Sequence, residues 1–481
     1  MSLISIDYLY HYISKNDLTY KFDSLRLSIN TPMTSNDFYF RLSPVISAIK
    51  QGHIQITPLT KKMHTTEMHI VKKSGTSPLS QFDFELIENH LYIVKNYSKD
   101  STIKTGTEVL MINAEKPEIL INKYKNTFSS DGYNHTYIPK RLAKGFSRFF
   151  FYQNGITDSI CFQLKYNDSI RVVNLKRQST SKLSDTKKTK EELIAKKKLQ
   201  QEENKKRILL GYDPLKKTYS KQLYFPQKDS SIAVLKISDF MKGNYKLFYK
   251  KSFKLLDSLQ TKSLILDLRD NAGGRLSEVN NLYSYLTDTS FHFLKKSEVT
   301  SKTSLWHIGF FDNKPQWFKL LKPLFIPSFT VLDIFTYLVT SKGKDNKFKF
   351  PLLESGLTKP KSNHFKGEIY VLINGGSFSA SSLLSSNLKG SKRALFIGQE
   401  TGGANNGCAA GIMPIFTLPK SKLQVKFGLL LCQTLYKSEV EGRGIFPDIV
   451  IIPTLENRKN GKDPEIQWIL NNIDNINKAS K

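Results

Sequence analysis

The segment Gly367–Leu388, GEIYVLINGGSFSASSLLSSNL, constrains the fold most, because it predicts a buried strand that turns sharply into a helix. Residues 368–374 form the apolar run of a strand, and the leucines of 383–388 share one helical face. The turn Gly375–Ser379 places a hydroxyl at the helix N-terminus, where unpaired N–H groups favour a developing negative charge. An acyl-transfer nucleophile requires such a place, but serine is also a common helix N-cap, so both interpretations remain open.

Two further stretches have a related pattern. Residues 263–274, SLILDLRDNAGG, predict a buried strand that ends in a polar Gly-Gly loop, and an amphipathic helix follows over about 276–286. Residues 393–403, RALFIGQETGG, predict another strand that runs into glycines. Together these stretches predict a multidomain α/β chain.

In this order the three stretches resemble the LDLRxNxGG, SxSASE-like and GExTxG motifs of the S41 family of serine peptidases, the tail-specific or C-terminal processing proteases. The resemblance covers about 232–453. It implies a ClpP- or crotonase-like catalytic core, preceded by an N-terminal helical region and a PDZ-like β-rich domain. It also implies that Ser379 is the nucleophile, with Ser377 and Ser381 as neighbours.

One departure from the family pattern concerns the general base. The best-known S41 branch uses a lysine shortly after the GExT motif, and Ala404 stands at that position here. Because alanine cannot accept a proton, a Ser-Lys dyad is excluded at this position. The base must come from elsewhere in the chain.

A second S41 branch, which includes tricorn and the secreted chlamydial protease, uses serine, histidine and glutamate. Its glutamate motif resembles EGRGIFPD, which implies Glu441, with Glu439 as the fallback. Its histidine follows an N-terminal helix and leads into a strand, as His53 does in IKQGHIQI. The remaining candidate bases are four other histidines: His64, His69, His90 and His135.

The resemblance implies a complete acyl-transfer mechanism. His53 would take the proton of Ser379, and Glu441 would orient the imidazole and stabilise the imidazolium. Backbone N–H groups of the Gly273-Gly274 loop and of Ala380 would form the oxyanion hole. No cofactor is implied, and no His-x-x-x-His or Cys-x-x-Cys metal spacing occurs.

The length of 481 residues predicts two or three domains. We expect an N-terminal helical region with His53 over 1–75, the PDZ-like domain over 76–140, connecting strands and a basic linker or helix over 141–230, and the catalytic core over 231–481. Strand addition of a peptide to the PDZ-like domain is a further expectation from the resemblance.

The formal net charge of +30 raises the question of an anionic partner. The lysines are scattered and no nucleic-acid-binding motif is present, so specific nucleic-acid binding is not expected, whereas association with a membrane surface remains possible. Three cysteines, Cys161, Cys408 and Cys432, are too few for a disulfide framework. The start MSLISIDYLYHY lacks the features of a signal peptide, and the cell-envelope, periplasmic or secreted location that we expect comes from the resemblance alone.

A long excursion over 291–350 interrupts the core elements. Its apolar part, 320–339, contains Lys322, two prolines and Asp333, so we expect ordinary helical packing, or a lid over the active site, instead of a transmembrane span.

Two non-enzymatic functions remain as alternatives. S41-like domains without proteolysis carry peptides or hydrophobic ligands, and in such a protein Ser379 would be only a helix cap. The second alternative is a basic binding module of the cell envelope. The sequence does not indicate an oligomeric state.

Overall fold

The computed structural model describes residues 9–58, 75–178, 190–214, 217–306 and 316–479. Two of the alternative histidines, His64 and His69, lie outside these residues, as do the first eight residues of the chain.

Two helices, Lys15–Ser28 and Ser35–Ser47, form the N-terminal region. The second begins at a capping box in which Thr34 and Asp37 satisfy each other's backbone N–H groups. The strand Gln55–Thr57 follows and pairs antiparallel with Gln424–Lys426, which also pairs with Ile415–Thr417. This pairing attaches the segment that carries His53 to the C-terminal half of the chain.

A five-stranded antiparallel sheet forms the β-rich domain, with its strands adjacent in chain order. The strands are Phe82–Ile87, His90–Asn96, Thr107–Ile112, Ser159–Tyr166 and Ser169–Lys176. Short 3₁₀ turns, Leu79–Gln81 and Lys125–Thr127, and two helices, Pro117–Tyr124 and Tyr137–Asn154, complete it. The sheet extends beyond the expected boundary at 140, which falls inside a helix, because the last two strands pair with the earlier ones.

A helix, Lys190–Leu210, and a short hairpin, Tyr212–Asp213 with Thr218–Tyr219, follow in the basic segment. The sequence predicted an exposed helix or linker here. Oppositely charged side chains four residues apart stabilise the helix, and Arg207 forms such an ion pair with Glu203.

A six-stranded sheet is the centre of the catalytic half. Five strands are parallel and the edge strand Lys221–Tyr224 is antiparallel. From the other edge the order is Ile449–Val450, Leu395–Gly398, Glu368–Ile373, Ser263–Asp267, Ile232–Ile237 and Lys221–Tyr224. The apolar runs predicted as strands are buried on both faces, as expected for a parallel sheet.

Helices cover this sheet on both faces: Tyr245–Ser258, Leu276–Tyr283, Ala380–Gly390 and Pro464–Ala479. A short helix, Leu455–Lys459, contacts the β-rich domain through Arg458 and Glu85. The predicted motif loops all follow the carboxyl ends of parallel strands. Active sites of open α/β sheets lie at that edge.

A second, antiparallel sheet joins the excursion to the core. Its strands are, in order, Ser341–Lys342, Phe348–Phe350, Ser297–Val299, Leu430–Cys432 and Cys408–Ala410. A two-stranded ladder of Phe291–His292 with Leu357–Thr358 lies beside a 3₁₀ turn, Leu353–Ser355.

Two helices, Gln316–Leu320 and Lys322–Val339, form the rest of the excursion. Of the described residues, only Lys322–Val339 is a helix long and apolar enough to cross a membrane by length and composition, and 6% of it is buried. The expectation of ordinary packing is therefore wrong, because the apolar surface of this helix exceeds what the neighbouring core covers.

Candidate active site

The structure brings Ser379 and His53 together. Ser379 lies at the start of the helix Ala380–Gly390, and its Oγ is 2.8 Å from Nε2 of His53. The two residues are 326 positions apart, so the contact depends on the docking of the N-terminal segment on the catalytic half.

The backbone at Ser379 is strained. Its φ of 59° and ψ of −124° lie outside the regions that a serine normally adopts. Its hydroxyl makes no capping hydrogen bond to the helix and faces His53 instead. Ser379 is therefore not a simple N-cap in the structure. Its neighbour Ser377 instead stabilises the turn, because its Oγ donates to the carbonyl of Leu268 at 2.8 Å.

The ring of His53 is held in a buried aromatic stack. The side chain is buried, and its ring centroid lies 4.8 Å from that of Phe378, which stacks in turn on Tyr137 at 4.4 Å. A Cβ at Gly52 would lie 2.7 Å from the Phe378 ring, so only glycine lets the chain approach this closely. Burial, helped by the charge of Lys426, lowers the pKa of His53 to about 4, so that the ring is neutral near pH 7, as a general base must be.

Glu441 lies in a different set of contacts. Its side chain is 51% exposed, its Oε2 accepts a hydrogen bond from Asn406 at 2.7 Å, and its Oε1 lies 3.2 Å from Nε2 of His11. Burial raises its pKa, but the hydrogen bonds from Asn406 and His11 outweigh burial and leave the pKa below its ordinary value. The fallback Glu439 is exposed. The structure does not join either carboxylate to the imidazole of His53 by a hydrogen bond.

Nδ1 of His53 is buried and has no hydrogen-bond partner among the described residues. A nitrogen of His53, a carboxylate oxygen of Asp131 and Sγ of Cys408 lie within 4.8 Å of one another. The sequence analysis missed Asp131, because SSDGYN has the composition of an ordinary turn and no local signal marks the aspartate as buried.

The same three side chains carry donor atoms that zinc accepts. However, burial, with the nearby Asp131 and Cys432, raises the pKa of the Cys408 thiol well above its ordinary value. Without a metal ion the thiol is therefore protonated near pH 7.

The glycine loop lies against the nucleophile turn, as the resemblance implied. A Cβ at Gly273 would lie 2.7 Å from Cβ of Ser379, and Gly273 has a φ of +91°. The N–H of Gly273, however, donates to Oδ1 of Asn271 at 2.9 Å and is already engaged. Of the three predicted oxyanion-hole residues, Gly274 and Ala380 are the ones whose N–H groups donate no hydrogen bond within the described residues.

The other two described histidine candidates lie elsewhere. His90 hydrogen-bonds with Glu108 on the β-rich sheet, and His135 is exposed in a loop. His53 is therefore the described candidate that contacts the nucleophile.

A strained serine at a helix N-terminus, in contact with a neutral buried histidine and set at the carboxyl edge of a parallel sheet, is the arrangement of a serine hydrolase. Residues 231–451 match the model of peptidase family S41. This segment is slightly less than half of the chain, and its similarity to the family supports a serine-type peptidase with an α/β S41 fold.

Two solved structures of CPAF agree with this fold. The chain is similar to mature CPAF complexed with lactacystin, with a TM-score of 0.58 and 16% identity over 92% of this chain and 89% of that one. A second structure of mature CPAF gives a TM-score of 0.58 with 15% identity over 92% and 88% of the two chains. The photosystem II D1 C-terminal processing protease aligns over 92% and 90% with a TM-score of 0.40 and 13% identity. Among curated proteins, the sequence comparison found no match.

Proposed function

We propose that the protein is a serine endopeptidase that hydrolyses peptide bonds of proteins or peptides through an acyl-enzyme on Ser379. The observation that carries the proposal is the 2.8 Å contact between Oγ of Ser379 and Nε2 of His53 in an S41 peptidase. His53 takes the hydroxyl proton as Oγ attacks the substrate carbonyl, and then gives that proton to the leaving amine. Water, activated by the same ring, hydrolyses the acyl-enzyme.

The N-terminus of the helix Ala380–Gly390 supports the charged intermediate. Its unpaired N–H groups and dipole favour the negative charge that develops on the substrate oxygen, and the N–H groups of Gly274 and Ala380 are the proposed donors.

The predicted Ser-His-Glu triad assigns the third position to Glu441. In the structure this carboxylate is half exposed and bonded to His11 and Asn406, so it needs a rearrangement of those contacts to reach His53. The proposal therefore rests on Ser379 and His53.

Hydrolysis of an unstructured protein such as casein tests the proposal. Ser379→Ala and His53→Ala should each abolish cleavage, Ser379→Ala without lowering the melting temperature, and the exposed Ser24→Ala serves as the matched control. Undiminished cleavage by Ser379→Ala would refute the proposal. An inactive wild-type chain that binds peptides tightly would favour the non-enzymatic alternative.

A further inference from the structure

The proposed mechanism leaves one atom without a function. Nδ1 of His53 is buried and unpartnered in the described chain, although an imidazole that accepts a proton at Nε2 needs a group that stabilises the charge at Nδ1. A buried nitrogen without a partner costs free energy, and such cost is typical of functional sites.

Asp131 is the carboxylate that could stabilise a positive charge at Nδ1 of His53. Its Oδ1 accepts a hydrogen bond at 2.8 Å from the N–H of Gly52, the residue immediately before His53. Its Oδ2 lies 3.5 Å from the N–H of Ala404, on the position where other S41 enzymes have their lysine. A carboxylate oxygen of Asp131 and a ring nitrogen of His53 are at most 4.8 Å apart.

The loop that carries Asp131 is fixed on both sides of the site. The N–H of Gly132 donates to the carbonyl of Lys50 at 2.8 Å, and the N–H of Tyr133 donates to the carbonyl of Gly442 at 2.7 Å. Asp131 therefore moves with the histidine loop and with the C-terminal segment, and its position relative to His53 is set by the backbone.

The charge of Asp131 has no other compensation nearby. Its hydrogen bonds come from two backbone N–H groups, and in the described chain no lysine or arginine forms an ion pair with it. Burial raises the pKa of this carboxyl to about 7. A positive imidazolium beside it would relieve this cost.

We infer that Asp131 is the positioning residue for His53, in the place that the sequence-based triad gave to Glu441. When Nε2 accepts the proton of Ser379, Nδ1–H donates to the Asp131 carboxylate, which stabilises the positive ring and neither gains nor loses a proton. Because the backbone fixes the two residues relative to each other, a rotation of the two side chains would bring Nδ1 and the carboxylate into hydrogen-bond contact; catalytic hydrogen bonds are often long in an unliganded enzyme.

This inference rests on the proposed function and is tested with three variants in the full chain. Asp131→Asn keeps an acceptor for Gly52 but removes the charge, and kcat should fall by about 10³–10⁴-fold with KM nearly unchanged. Glu441→Gln is the competing variant. It should lower kcat by less than tenfold, which is about the loss that one hydrogen bond accounts for. The exposed Asp257→Asn is the matched control.

A purely structural role would not change the pH profile. In Asp131→Asn the acid limb of kcat/KM should move to lower pH, because the removed negative charge no longer favours the protonated ring. Full activity of Asp131→Asn alongside an inactive Ser379→Ala overturns the inference and leaves the proposed function intact. Activity of Ser379→Ala overturns both, and a loss confined to Glu441→Gln restores the original triad.

A separate observation concerns the helix Lys322–Val339, whose outer face is apolar and exposed. The exposed side chains of this face are Trp317 and Leu320 on the preceding helix and Leu324, Ile326, Val331, Leu332, Ile334, Phe335 and Leu338. Contiguous exposed apolar surface of this extent marks an interaction site.

The inner face of this helix is attached to the segment 302–306 of the same excursion. Nε1 of Trp306 donates to the carbonyl of Asp333 at 3.0 Å, the rings of Trp306 and Tyr337 are 6.1 Å apart, and Nζ of Lys302 lies 4.6 Å from the Tyr337 ring centroid. The outer face is therefore exposed while the helix is docked.

Both ends of the excursion return to one sheet. Ser297–Val299 and Ser341–Lys342 both pair with Phe348–Phe350, so the helix cannot cross a bilayer once without separating these strands. Exposed lysines flank it, Lys319 and Lys322 at one end and Lys342 and Lys344 at the other. Lysines beside an apolar face are typical of helices that lie in the interface of an anionic bilayer.

We propose that this helix docks the peptidase on the surface of an anionic phospholipid bilayer. The test is co-sedimentation of the full chain with vesicles of phosphatidylcholine mixed with phosphatidylglycerol, and with phosphatidylcholine alone. Only the mixed vesicles should bind the chain, and salt should weaken binding. The pair Leu332→Gln and Leu338→Gln should weaken it by about tenfold or more, whereas Leu353→Gln, at a still more exposed position outside the helix, should not.

Failure to bind mixed vesicles overturns this second proposal, and so does equal binding to both vesicle types. A dimer in solution that dissociates in the Leu332→Gln, Leu338→Gln variant would instead assign the face to a second copy of the chain.

Discussion

A methyl group at position 273 has no room beside the nucleophile. An ideally placed Cβ would lie 2.7 Å from Cβ of Ser379, 2.7 Å from the carbonyl oxygen of Phe378 and 2.8 Å from the nitrogen of Ala380, and the residue has a φ of +91°. The positive φ alone costs a non-glycine residue about 1–2 kcal/mol. Two of the three close atoms are backbone, so the nucleophile turn itself must shift in Gly273→Ala.

The expected result is a kcat/KM about 100-fold below wild type, because a shift of about 1 Å at the reacting groups costs a factor of this size. Gly155→Ala is the matched control: Gly155 has a φ of +70° and no atom within 4 Å of the added Cβ. It should show a similar backbone cost in urea unfolding with activity unchanged. Equal activity of the two variants would refute the steric argument.

Two further predictions concern the core and the base. Arg269 binds the buried Asp267 through Nε and Nη2, each at 2.9 Å, and reaches Asp463 at 2.7 Å. Arg269→Ala should lower the free energy of unfolding by about 3–5 kcal/mol, because the buried carboxylate of Asp267 loses its bidentate partner and keeps only Lys236, 3.4 Å away; a loss below about 1 kcal/mol in urea denaturation would contradict this ion pair's role. For pH, the active form of His53 is neutral and burial lowers its pKa from 6.5 to about 4. In Asp131→Asn, which lacks the carboxyl with a pKa of about 7, residual hydrolysis should therefore persist below pH 6.5 and decline towards pH 4, and an acid limb of kcat/KM above 6.5 in that variant would show that the ring is not buried in the active enzyme.

The strands and turns of the catalytic half could be predicted from the sequence because their signals are local. The apolar run before the glycines of 375–376 became the strand Glu368–Ile373, and the leucine spacing after them became the helix Ala380–Gly390. Burial on both faces of a parallel sheet gives continuous apolar runs that sequence alone reveals.

The pairing of His53 with Ser379 depends on contacts between distant segments, and the prediction of it came from the family resemblance. No local pattern distinguishes a turn aspartate such as Asp131 from a solvated one, since its burial depends on three segments that meet around it. The prediction for the helix Lys322–Val339 failed for a similar reason. Its apolar composition predicted packing against the core, but composition does not show whether the core offers a surface for the helix to pack against.

Covalent labelling of Ser379 by a fluorophosphonate probe tests the central claim most directly, because it reports the reactivity of this one hydroxyl without a peptide substrate. The labelling rate in the wild-type chain should fall as the pH drops through the pKa of His53, and it should be lost in His53→Ala. A labelling rate that is independent of pH and unchanged in His53→Ala would contradict the activation of Ser379 by His53.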